Sequence, residues 1–135
     1  MKITILNGNP NADNVKFDNY LKELSDLLES DFVLFASPII MGFTSALLKK
    51  AHDKLIPLIH PYLEIVQNEF HHLARYEKYP AMGLLLEKSK GADEEDIKII
   101  SNIYMRNAIN LKTLFCFTTL TTDPVEEVAN EINRL

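Results

Sequence analysis

The chain has little cysteine: Cys116 stands alone among 135 residues. That excludes a disulfide framework, a thiolate zinc site and the cysteine set of an iron–sulfur cluster. Cys116 sits in an apolar run and reads as a core residue. Basic runs are also missing. The longest is Lys49-Lys50 in a chain of net charge −5, which argues against nucleic acid as the main partner. The longest apolar stretch, Phe32 to Phe43, is broken by Pro38 and is too short to span a bilayer. The chain enters a strand-like run at once, so no signal peptide is expected. Repeats, linkers and low-complexity segments are absent. What is present is an ordinary globular balance, 47% hydrophobic and 24% charged, with length enough for a real core. These totals predict one soluble, cytoplasmic domain over residues 1–135, with no membrane segment.

The segment 31–54 is the most informative. Phe32 to Ala36 are all apolar, as in a strand covered on both faces. Pro38 removes a backbone donor and is expected to end that strand. Gly42 permits close backbone approach or positive φ. A helix over 44–56 then carries Leu47, Leu48, Ala51 and Leu55 along one side. A turn joining a buried strand to a helix lies at the carboxyl end of an α/β sheet, where ligands bind.

Other elements follow from the same periodicities. Lys2 to Asn7 reads as a strand, and Gly8-Asn9-Pro10-Asn11 as a turn. Asn14 is an expected N-cap for a helix with Phe17, Leu21, Leu24 and Leu28 on one face. Residues 62–73 suit either a helix or a hairpin turning at Gln67-Asn68. The hairpin is preferred, because Tyr62, Ile65, Val66 and Phe70 favour strands and Asn68 tolerates the left-handed turn conformation. Met82 to Leu86 and Leu114 to Phe117 read as buried strands, and Asp96 to Leu111 as an amphipathic helix. Pro124 opens a final helix. The order predicts a parallel α/β sheet.

Within 31–54, Ser37, Pro38, Ile39, Gly42, Ser45, Ala46, Leu48, Lys49 and Asp53 fit, without a gap, the Ser-Pro…Gly…Ser-Ala-x-Leu-Lys…Asp pattern of a known family. The chain thereby resembles the flavodoxin-like NAD(P)H-dependent FMN reductases, including the relatives of iron–sulfur flavoproteins. Ile40 and Met41 stand where that family usually has two aromatics. Asn7, Gly8 and Pro10 match its flavin phosphate loop, with Asn9 in place of Ser and Asn11 in place of Arg. Asp13 adds a negative charge near that loop, and Lys16 a positive one. Glu64-Ile65-Val66-Gln67-Asn68-Glu69-Phe70-His71-His72 is similar to an insertion seen in one branch of the superfamily.

The resemblance implies FMN as cofactor and NAD(P)H as a possible electron donor, in an oxidoreductase or electron-transfer flavoprotein. It places the phosphate near Asn9, Asn11, Asn14 and Lys16. It places the ring against Pro38, Ile39, Ile40, Met41, Gly42 and Phe43, with Glu87 on the second ring-contacting loop. An ordinary turn stands as the alternative at each loop. No catalytic side chain is required, since the flavin performs the chemistry. His60, Glu69, His71 and His72 invite a metal reading, but adjacent strand histidines point to opposite faces, so hairpin packing is preferred.

The family's second strand has no counterpart here, which predicts a sheet shortened to about four strands in sequential order. Crossovers between parallel strands are right-handed in about 98% of cases. Three crossover helices then share one sheet face, and only the C-terminal helix remains for the other. The apolar groups of 32–36 and 114–117 point both ways, so the open face suggests a homo-oligomer. A cofactor-free module acting through homo- or hetero-oligomerisation is the rival reading.

Overall fold

In the computed structural model, residues 1–11 and 20–134 are described. The chain runs β1 (Ile3–Asn7), α1 (Tyr20–Leu28), β2 (Phe32–Ile40), β3 (Phe43–Thr44), α2 (Ala46–Asp53) and a 3₁₀ turn at Ile56–Leu58. It continues through β4 (Ile59–Val66), β5 (Glu69–Ala74), β6 (Ala81–Glu87), α3 (Glu94–Asn110), β7 (Phe115–Leu120) and α4 (Val125–Asn133). The main sheet has the order β1-β2-β6-β7, these four strands parallel, with the short β3 paired antiparallel to the end of β2. This is the expected α/β architecture of four parallel strands met in sequence order.

Strand alternation assigns the faces. Leu6, Val33, Phe35, Met82, Leu84 and Leu86 point to one side. There they form a single core with Leu27 of α1, Leu48 of α2, and Ile100, Tyr104 and Ala108 of α3. Three helices therefore cover one face. The other face carries Ile3, Ile5, Phe32, Leu34, Gly83, Leu85 and Phe117. At its centre a Cβ on Gly83 would lie 2.6 Å from the Phe32 ring and 2.8 Å from the Phe117 ring, so only glycine lets these two rings meet. α4 shares cavities with Leu85, Phe117 and Thr119 of this open face, yet buries none of its own residues.

Several boundaries differ from expectation. Pro38 does not end its strand: β2 continues to Ile40, with Pro38 opposite Glu87 of β6. Pairing with β1 stops at Ala36, so beyond it β2 has a free side on which a missing donor is tolerated. The chain then folds back as β3, with Ile39 opposite Thr44 and Ile40 opposite Phe43. Met41 and Gly42 both take positive φ (51° and 76°), the conformation of a two-residue hairpin turn. The next helix accordingly starts later and ends earlier than the expected 44–56. Ser45 caps it, its side chain accepting from the Leu48 amide at 3.1 Å. α1 begins at Tyr20; the expected cap Asn14 and Phe17 lie outside the described residues. The last strand is shifted to Phe115–Leu120, and Cys116 in it is half-buried rather than core.

Residues 62–73 lie within a hairpin, as preferred. It turns at Gln67 and Asn68, both with positive φ (51° and 64°), and pairs Ile65 with Phe70. One face docks on α3 and the following turn through Glu69–Arg106 and Glu64–Lys112 ion pairs, each 2.8 Å. Tyr79 fixes its base: the phenol oxygen accepts from the amides of Arg75 (2.9 Å) and Tyr76 (3.0 Å) and donates to the Leu58 carbonyl.

Candidate functional site

The carboxyl ends of the four parallel strands converge on a cleft of about 130 Å³ lined by Asn7, Asn9, Ala36, Ser37, Pro38, Leu85, Glu87 and Thr121. Crevices at strand ends form because the loops leaving adjacent strands diverge there. Three of the sequence-derived candidates, Asn9, Pro38 and Glu87, come together in it. Leu85 and Thr121 also line a second, apolar groove of about 370 Å³, completed by Leu120, Asp123, Val125, Val128, Ala129 and Ile132. Leu85 and Thr121 belong to both linings, so the two spaces adjoin, with the polar residues at the Asn9 end and the apolar ones beside α4.

Gly8 sets the near wall. Its amide donates to the Ala36 carbonyl at 2.7 Å. A Cβ there would meet the Leu48 Cβ at 2.5 Å and the Ser45 hydroxyl at 2.9 Å, so the loop leaves β1 pressed against α2. The two motif serines are spent on this junction. The Ser37 hydroxyl accepts from the Ser45 amide at 2.9 Å, and the Ser45 hydroxyl donates to the Gly8 carbonyl. Asn7 Oδ1 accepts from the Asn9 amide at 3.0 Å, and Asn9 Oδ1 from the Asn11 amide at 2.9 Å. These are local side-chain turns of the kind asparagine favours.

The remaining candidates are placed elsewhere. Ile39 is fully buried in the core on the helix side. Ile40 is partly exposed and Met41 is 98% exposed at the tip of the β2–β3 hairpin. Gly42 faces α3, since a Cβ on it would lie 3.1 Å from Asp96 Oδ1, and Phe43 packs against the core. Asn11 is exposed beside Asn9. Asn14 and Lys16 lie outside the described residues.

Histidine placement was only half legible. His71 is buried, its ring within 3.1 Å of Asn110 Oδ1 and 3.2 Å of Glu69 Oε2, while the His72 ring donates to the His60 carbonyl at 2.9 Å. Among the described residues no group of three or more His, Cys, Asp or Glu is arranged to hold a metal. The sequence reading passed over His52, whose partners Tyr104 and Asn107 are brought to it from α3. Nothing local in the sequence marks that contact.

The fold and the cleft define a parallel α/β protein with a candidate ligand site at its strand ends, and among the described residues no helix is long and apolar enough to cross a membrane. Compared with known proteins, the chain matches no family model and no curated sequence.

Proposed function

We propose that the protein binds FMN at the strand ends and acts as an NAD(P)H-dependent oxidoreductase or electron-transfer flavoprotein of flavodoxin-like type. The observation that carries this reading is the meeting of Asn9, Pro38 and Glu87, from three neighbouring strands, in one cleft that adjoins an apolar groove. The residues present suit such a group. Asn7 and Asn9 bring polar side chains to the cleft, toward a polyol, and Leu85 with the α4 side chains offers an apolar wall. Bound flavin would supply the redox chemistry, while the protein supplies orientation and shielding from water. Absorbance of the purified protein and FMN titration by fluorescence quenching test the reading. No saturable binding at high micromolar FMN rejects it.

One observation favours the second reading, a cofactor-free module working through a homo-oligomer. On the open sheet face Ile3 is 39% and Ile5 60% exposed, an apolar edge of the kind that partners cover. Sedimentation tests it: a monomer at micromolar concentration counts against it.

A further inference from the structure

We propose that the flavin ring lies in the apolar groove beneath α4, and that this groove, rather than the Asn7–Asn11 loop, carries the affinity. A flavin lacking the phosphate then binds about as well as FMN. This rests on the flavin reading above and adds where the ring sits and which part of the ligand is recognised.

Val125, Val128, Ala129 and Ile132 recur at i, i+3, i+4 and i+7, one stripe of a helix. Such a stripe is ordinarily buried, yet α4 buries no residue and Val125 is 78% exposed. The stripe is nevertheless fixed in place. The Leu120 amide donates to Asp123 Oδ2 at 2.7 Å, and the Thr121 amide to the Leu86 carbonyl at 2.9 Å, tying the approach to α4 onto the sheet. The space it roofs, about 370 Å³ with Leu85 and Leu120 in its lining, is of the size that small-molecule sites occupy (roughly 300–1,000 Å³). Its mostly apolar lining suits a heteroaromatic ring. The adjoining polar cleft lies where a chain attached to that ring would run.

Over the described residues 8–11, the other end offers little to an anion. The amides of Gly8, Asn9 and Asn11 already donate to Ala36 O, Asn7 Oδ1 and Asn9 Oδ1, and Pro10 has none. Glu87 and Asp123 bring carboxylates to the two linings, and among the described residues neither contains a lysine, arginine or histidine. A phosphate loop works by presenting free amides and positive potential. This one presents neither over residues 8–11.

The test titrates FMN and riboflavin into wild type, Ala129→Trp and Ile132→Glu, with circular dichroism confirming that each variant is folded. Both positions are on the incompletely buried helix α4, so the fold should tolerate the changes. We expect FMN and riboflavin to bind wild type within about threefold of each other, and each variant to weaken both by about tenfold or more. FMN binding more than about tenfold tighter than riboflavin would overturn the inference while leaving a flavoprotein. So would unchanged affinity in both folded variants. Failure of both flavins to bind wild type overturns the inference together with the flavin reading beneath it.

Discussion

The imidazole of His52 lies nearly flat on the phenol of Tyr104, ring centroids 5.2 Å apart and planes inclined by 21°. Neither ring is well served by polar partners. His52 Nε2 meets the Asn107 side-chain amide, while the buried Nδ1 has no hydrogen-bond partner. The buried Tyr104 hydroxyl makes no well-formed hydrogen bond either. Burial holds the His52 pKa below its ordinary 6.5, and burial pushes Tyr104 up to about 12 despite the Thr44 hydroxyl near it. Both rings are neutral at pH 7 in the folded protein.

Stability should therefore fall on mild acidification. The unfolded chain takes up a proton on His52 near its ordinary 6.5, whereas the folded chain resists it. The unfolded state thus binds more protons below that value, and the contribution of a neutral His52 is lost as pH falls from 6.5 toward the depressed folded value. Urea midpoints measured from pH 7.5 to 5.5 should drop in wild type and drop less in His52→Gln.

Two tyrosine hydroxyls should differ sharply in what their removal costs. Tyr104→Phe deletes a buried hydroxyl without a proper partner, so it should change stability by less than about 1 kcal/mol and abolish the loss expected between pH 10 and 12. Tyr79→Phe leaves two amides and a carbonyl without their partner and should cost about 2–3 kcal/mol, read as the chemical-denaturation midpoint.

Gly8→Ala should destabilise by about 1–3 kcal/mol, because its Cβ would meet the Leu48 Cβ at 2.5 Å and neither backbone can yield freely. Thermal denaturation checks it. A midpoint equal to wild type would mean that the loop is not pressed against α2.

Gln67→Gly should do the reverse. Gln67 holds φ at 51°, a conformation that costs an L-residue about 1 kcal/mol and glycine nothing. A rise in Tm of roughly 2–4 °C is expected.

The hairpin at 59–74 was legible because its turn residue, Asn68, announces the conformation it adopts. The smaller hairpin at 39–44 was not. Its ladder has only two residue pairs, and the Ser37-Pro38…Gly42 text suits a direct strand-to-helix turn equally well. The sequential sheet could be read because each buried strand was a short apolar run bounded by turn residues. The groove could not: whether the α4 stripe packs down or stands off depends on Leu85, which lies far from it in sequence. The cleft was partly foreseen, since strand ends are where loops gather: Asn9 follows β1, Glu87 closes β6 and Pro38 lies in the last residue pair between β2 and β6. Ile39, Met41 and Phe43 were drawn away by the extra turn of sheet.

The order β1-β2-β6-β7 has a consequence for synthesis. Each main-sheet strand joins the outer edge left by the one before it, and none must be inserted between two strands already paired. A chain emerging at about 5–20 residues per second can therefore add its strands in the order they appear, without undoing an earlier pairing. Stalled chains of increasing length should acquire protease resistance in steps, each following the release of the next strand.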